Sequence, residues 1–289
     1  VHPDKGGLTV MSQPVLIGSG LPGWQFLKQT EARQLETFSR TGQVRNDTAH
    51  FEKTFAQPVA LDTFLSDSRL MRVALGAFDL GAEFWKRGFI EKVLTESQDP
   101  ESTFLTRLNN PDYSAFAEAL KPVDGVITLN AGARDALMTR YRESAFREAV
   151  GQTDDVMRRA LNFEASIGRV LGGGSDETVL AFRALGSLPI RSVLETALSL
   201  PSEFSKLPVE RQASELQDRL RTRLGIDSLT RLREPETAQA VVRRFLVISE
   251  AQSGFSASSS QSIALTLLGG QGGLGAGASR NLFLSGLGG

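Results

Sequence analysis

Apolar residues recur along most of the chain at intervals of three and four, the spacing that puts them on one face of an α-helix. Leu70, Val73, Ala74, Ala77 and Phe78 form such a stripe and predict a helix over 67–79. Trp24, Leu27, Glu31, Leu35 and Phe38 predict a first helix with Gly42 as its terminator, and Phe51 and Phe55 a second that ends before Pro58. Phe84, Phe89, Ile90, Val93 and Leu94 give a helix near 83–97. Asp99-Pro100 and Asn110-Pro111 each offer a cap residue followed by proline. They introduce a short helix through Phe104, Leu105 and Leu108 and another through Tyr113, Phe116, Ala117 and Leu120. Further helices are predicted over 136–150, from a Thr153 cap through Ala165, and from Ser175-Asp176 onward. Gly172-Gly173-Gly174 breaks the pattern, and Pro189, Pro201, Pro208 and Pro235 divide the later apolar periods. One extended run, Val126-Ile127-Thr128-Leu129, makes no sheet by itself. The prediction is an all-α, compact multi-helix array of short helical hairpins, with Trp24, Trp85, Tyr113 and Tyr141 mainly in the core.

An echo inside the chain suggests two diverged helical repeats. Ala74-Leu75-Gly76-Ala77-Phe78-Asp79-Leu80 followed by Glu83-Phe84-Trp85-Lys86 resembles Ala197-Leu198-Ser199-Leu200 followed by Glu203-Phe204-Ser205-Lys206. The expected organisation is an N-terminal arm over 1–23, a helical body over 24–250 with two subdomains meeting near 121–152, and a Gly/Ser-rich flexible or docking tail over 251–289. The tail contains no acidic residue and a single basic one, Arg280. Its glycines and serines are poor core material. Ile263, Leu267, Leu268, Leu282 and Phe283 are nonetheless too apolar for an inert linker and could dock on the body or on a partner.

Composition narrows the chemistry. The 289 residues carry 32 Lys and Arg against 33 Asp and Glu, a net charge of −1, so no global field draws the protein onto nucleic acid. There is no cysteine and hence no disulfide, thiolate nucleophile or zinc–cysteine site, and His2 and His50 are the whole imidazole supply. No apolar stretch is long enough to span a bilayer and no secretory signal core is visible, which makes the cytoplasm the default location.

Each chemical motif has a plainer explanation beside it. Gly18-Ser19-Gly20-Leu21-Pro22-Gly23 follows Val15-Leu16-Ile17 with dinucleotide-loop spacing, but the series of later strands that such a site requires is missing. Gly172-Gly173-Gly174-Ser175 lacks the Gly-Lys-Ser/Thr ending of a phosphate loop. His50 reads as a polar helix residue rather than a general base, and Asp154-Asp155 as helix-start acids rather than cation ligands. The pairs Arg158-Arg159 and Arg243-Arg244, with Arg231 and Arg233, are balanced by Glu164, Glu234, Glu236 and Glu250. No cofactor or metal is expected.

Several ordered segments resemble the bacterial domain-of-unknown-function family 1217. They are Gly20-Leu-Pro-Gly-Trp24-Gln-Phe-Leu27 with Thr30-Glu-Ala-Arg33, Asp67-Ser-Arg-Leu70 with Ala74-Leu-Gly-Ala-Phe78, and Phe89-Ile-Glu-Lys-Val-Leu94. Arg107-Leu-Asn-Asn-Pro-Asp-Tyr113 with Ala115-Phe116, Arg159-Ala-Leu-Asn-Phe-Glu164 and Leu194-Glu-Thr-Ala-Leu-Ser-Leu-Pro201 extend the resemblance over about 15–250. It implies an alphaproteobacterial protein encoded among flagellar genes, with an accessory, assembly or export-linked role, and it brings no catalytic residues. The expectation is a non-enzymatic interaction or structural factor whose partner is a protein, in the flagellar case a flagellar component. Its contacts are sought at Trp24, Phe26, Trp85 and the apolar tail residues. The alternatives are an export chaperone holding a partner helix in a groove, and a hydrolase built on carboxylates. The family association adds flagellar export as a second location.

Overall fold

The computed structural model describes residues 13–269 except Pro100 and Asn109, with side chains through Ser253. Thirteen α-helices and one two-stranded ladder lie among the described residues. The first half runs α1 (Gly20–Ser39), α2 (Gly42–Thr54), β1 (Val59–Ala60), α3 (Leu61–Ser66), α4 (Ser68–Gly76), α5 (Arg87–Glu96), α6 (Phe104–Leu108), α7 (Pro111–Ala119) and β2 (Val126–Ile127). The second half comprises α8 (Ala131–Thr153), α9 (Asp155–Val170), α10 (Glu177–Gly186), α11 (Leu188–Ala197), α12 (Val209–Leu224) and α13 (Pro235–Gly269).

Short polar side chains set most of these boundaries. Asp67 accepts from the N–H groups of Arg69 and Leu70, and Asn110, Asn130, Asp154 and Asp176 cap α7, α8, α9 and α10 in the same way. The helix expected over 67–79 is α4, which Asp67 opens as its cap and which ends at Gly76. Thr153 is the last residue of α8 rather than a cap, because Asp154 holds the Met157 N–H. Gly42 opens α2 with φ +50 instead of simply ending α1. The extended run at 126–127 finds a partner that periodicity hides: Val59 faces Ile127 and Ala60 faces Val126, antiparallel.

The buried side chains form two clusters. Lobe 1 gathers α2 to α7 around Phe51, Phe55, Phe64 and Phe116, and lobe 2 gathers α1 and α9 to α13 around Phe163, Phe204 and Phe245. Each such fully buried ring is worth about 2–3 kcal/mol of transfer free energy. Helix α8 belongs to both, giving Leu137, Met138 and Tyr141 to lobe 1 and Phe146 and Val150 to lobe 2.

Pro14 is buried and α1 starts at Gly20, so the described part of the arm belongs to lobe 2. The Gln34 carboxamide fixes it, accepting from the Val15 N–H at 2.7 Å and donating to the Val15 carbonyl at 3.0 Å. At the other end α13 continues past residue 250 to Gly269, so a helix occupies the first half of the expected tail.

Candidate functional site

The echoed segments have the same local path. After α4 the chain passes through Asp79 at φ +59, and after α11 through Ser199 at φ +52, a left-handed backbone that costs a non-glycine residue about 1 kcal/mol. In both, the next N–H reaches back into the last turn, Leu80 to the Leu75 carbonyl and Leu200 to the Glu195 carbonyl, each at 2.9 Å. A 3-10 turn comes next in each, and a Lys–Glu pair three residues apart closes it, Lys86 with Glu83 and Lys206 with Glu203.

Between the lobes lies a cleft of about 1800 Å3. Lobe 1 lines it with Arg72, Gly76, Asp79, Leu80 and Glu83 after α4, and with Leu105, Leu108, Asp112 and Tyr113 from α6 and α7. Tyr141, Ser144 and Glu148 of α8 contribute where the two lobes meet. Lobe 2 adds Arg158, Asn162 and Arg169 of α9, Val179, Phe182 and Arg183 of α10, and Leu188 and Pro189 at the start of α11.

An ion-pair network crosses this cleft. Asp79 accepts from the Ser144 hydroxyl at 2.9 Å and from Arg147 at 2.6 Å, and Arg147 also donates to Asn162 at 2.8 Å. Arg169 lies 3.5 Å from the other Asp79 oxygen and pairs with Asp112. Burial pulls the Arg169 guanidinium below its ordinary value, an effect that the Asp79 charge opposes. Deeper in lobe 1, buried Asp47 accepts from Arg72 at 2.6 Å and from the Tyr141 hydroxyl at 3.0 Å. Burial and the Asp47 charge push the Tyr141 phenol well up. Burial also raises Tyr113, to about 12, with help from the Glu83 carboxylate.

The acids of this site face cations rather than one another. Asp79 and Asp112 share Arg169, Glu83 has Lys86 at 2.9 Å, and Glu148 has Arg158 at 3.8 Å. This arrangement orients the side chains and neutralises charge across the cleft. No group of three His, Cys, Asp or Glu side chains among the described residues could hold a metal ion. The glycine motif at the start of α1 meets a carboxylate of the chain itself: Glu250 lies 3.5 Å from the Ser19 hydroxyl, and a Cβ on Gly20 would be 2.0 Å from a Glu250 oxygen. Glu250 thus stands beside the start of α1, where negative charge is favoured by the helix dipole. His50 pairs with the Asp67 cap at 2.6 Å.

The sequence-nominated contact residues scatter. Trp24, expected mainly in the core as well as among the contact candidates, is buried in lobe 2 on the inner face of α1. Phe26 is half-buried beside a hollow of about 290 Å3 between α1 and Pro14. Trp85, expected mainly as core, is 86% exposed, its ring edge-on to Phe84 with centroids 4.9 Å apart. In the echoed segment Phe204 is buried and Ser205 exposed, so the turn itself points this position outward. The side chains of Ile263, Leu267 and Leu268, and Leu282 and Phe283 altogether, lie outside the described residues. Sequence reasoning missed the cross-lobe pairs between Asp79 and α8, whose members are 65 or more residues apart, and missed Leu188. Leu188 sits off the Ile190, Val193, Leu194 and Ala197 stripe of α11, a signal that could have marked it.

Among the described residues no helix is long and apolar enough to cross a membrane. The fold is similar to the X-ray crystal structure of protein AGR_C_984 from Agrobacterium tumefaciens, with a TM-score of 0.64 at 23% identity, covering 83% of this chain and 97% of that one. No curated protein matches the chain. The family described as "Protein of unknown function (DUF1217)" matches residues 77–237, from the end of α4 through the start of α13, and the chain belongs to that family.

Proposed function

We propose that the protein is a non-enzymatic structural or interaction factor that receives a polypeptide segment in the cleft between its lobes. The size of that cleft carries the reading. At about 1800 Å3 it exceeds the roughly 300–1000 Å3 of small-molecule sites. Its edge offers apolar groups to an occupant, with Leu188 76% and Val179 45% exposed. Its acids already have cationic partners, which favours a binding role over a hydrolytic one. The lobes are two diverged copies of one helical module, supported by the matching turns at Asp79 and Ser199. Participation in flagellar assembly or export, as accessory factor or as chaperone, is the narrower form of the proposal and rests on the family resemblance alone. The proposed place of action is the cytoplasm, or the flagellar export route in that narrower form.

Photo-crosslinking in a flagellated host tests the reading. A benzoylphenylalanine at Leu188 or Leu105 is expected to capture the same polypeptide from either wall, while one at exposed Val247, which is not part of the cleft lining, captures none. Equal capture from all three positions, or none from the cleft, overturns it. A captured polypeptide unrelated to the flagellum removes the narrower form.

A further inference from the structure

Of the four arginines that line the cleft, three have carboxylates: Arg72 has Asp47, Arg158 has Asp155 and Arg169 has Asp112. Arg183 has none among the described residues and donates instead to the Gly172 carbonyl at 2.5 Å and the Gly173 carbonyl at 3.2 Å. A guanidinium bonded to neutral carbonyls gains by exchanging them for a carboxylate, because the charge-assisted bond is stronger and can be bidentate. Arg183 is exposed, so little hydration has to be removed first. There is room beside the lining as well, since a Cβ on Gly173 or Gly186 would meet nothing within 4 Å.

The residues around Arg183 set the rest of the pattern. On α10, Val179, Phe182, Arg183 and Gly186 follow at i, i+3, i+4 and i+7 and all line the cleft, so they form one stripe, which Leu188 continues at the start of α11. Val179, Arg183 and Leu188 are exposed and Phe182 is half-buried, so the stripe reads apolar, cationic, apolar. In the same cleft α8 supplies one exposed acid that is loosely answered: Glu148 has Arg158 at 3.8 Å, while Arg158 is held by Asp155 at 3.0 Å. No residue of the β1–β2 ladder lines the cleft, so it offers no strand edge to an extended segment. A helix satisfies its own backbone and needs none.

From this pattern of charge and exposure we infer that the cleft takes an amphipathic helix of another protein, with an acidic side chain between two apolar ones for the α10 stripe and a basic side chain for Glu148. On a helix the first part of that order is an apolar residue at i, an acid at i+3 or i+4 and an apolar residue at i+7. The inference rests on the cleft's being a polypeptide site and adds the chemistry of its occupant.

Selection on the full chain from a displayed library of helical peptides, randomised on one face, tests it. The winners are expected to repeat that spacing, to lose binding to Leu188→Glu, and to bind Arg183→Glu at least about fivefold more weakly. Replacing the peptide's acid with lysine should restore binding to Arg183→Glu, which a misfolded variant cannot show, and the reciprocal exchange is expected between Glu148→Lys and the peptide's base. Winners that depend on Leu188 but carry no acid at that spacing, or that ignore either charge reversal, overturn the inference and leave the cleft reading intact. Association of the bare protein that Leu188→Glu abolishes would put a second copy in the cleft and also overturn it. A selection without winners overturns it too, and crosslinks from Leu188 and Leu105 then decide whether the cleft reading falls with it.

Discussion

Asp79 and Ser199 adopt the same left-handed backbone for different returns. Among the described residues Ser199 makes no side-chain hydrogen bond that offsets the strain, so Ser199→Gly should stabilise the protein by about 0.5–1 kcal/mol. Asp79→Gly relieves the same strain but leaves Arg147, whose side chain is 11% exposed, without its carboxylate. Loss of that charge-assisted bond, about 1.5–3 kcal/mol, outweighs the relief. Thermal unfolding of the two variants should shift in opposite directions, and parallel shifts would refute the contrast. Asp67 gives a pH-dependent case. Burial raises its carboxyl, but the bond to His50 and the Leu70 and Arg69 N–H groups outweigh this and hold it below the ordinary 3.8. A depressed carboxyl stabilises the fold above its unfolded value and loses that contribution as pH falls through the folded one. Asp67→Asn keeps a cap acceptor without the charge, so the wild-type advantage over it should shrink from about pH 5 downward in urea titrations. An advantage that grows on acidification would contradict the assignment.

Elements were legible where one local device sets them. Asn110-Pro111 and Asp176 start helices where the sequence places them, and Gly172 to Gly174 ends one. Elements defined by a distant partner were not, as with Val59-Ala60, whose pairing depends on a residue pair over sixty positions away. The cleft escaped for the same reason: periodicity finds the buried face of a helix but not which exposed residues of two lobes face each other. Trp85 shows the limit within one residue, since aromatic character argued for the core and the turn after Asp79 turned it outward. Close helix packing is equally invisible in one dimension. Gly76 ends α4 against the Tyr141 ring of α8, and an added Cβ would stand 2.7 Å from the ring. Gly76→Ala therefore sets a small gain in helix propensity against overpacking of about 1–3 kcal/mol. The expected net effect is destabilisation in urea unfolding, and a neutral result would mean that α4 and α8 separate freely.

At the scale of the molecule, the two lobes share α8 as common core material, while the pairs from Asp79 and Asp112 to Arg169 are about one-third exposed or less and each worth at most about 1 kcal/mol. Lobe cohesion should therefore survive loss of Arg169. The tyrosines report on this region, because the chain has only two and both lie at the cleft. Both phenols are raised, Tyr113 to about 12 from an ordinary 10.0, so the native protein should show little phenolate absorbance near pH 10–11, where unfolded chains ionise. Because the folded state holds these protons more tightly, the associated stability is present in full below pH 10.0 and is lost as pH rises toward about 12. Glu83→Gln removes the carboxylate charge that helps to raise Tyr113. One of the two phenols should then titrate closer to 10.0, while Tyr141, held by Asp47 inside lobe 1, keeps its delay and the thermal midpoint moves little. Simultaneous early ionisation of both would mean that the lobes come apart as one unit, and an unchanged titration would mean that burial alone holds Tyr113 up.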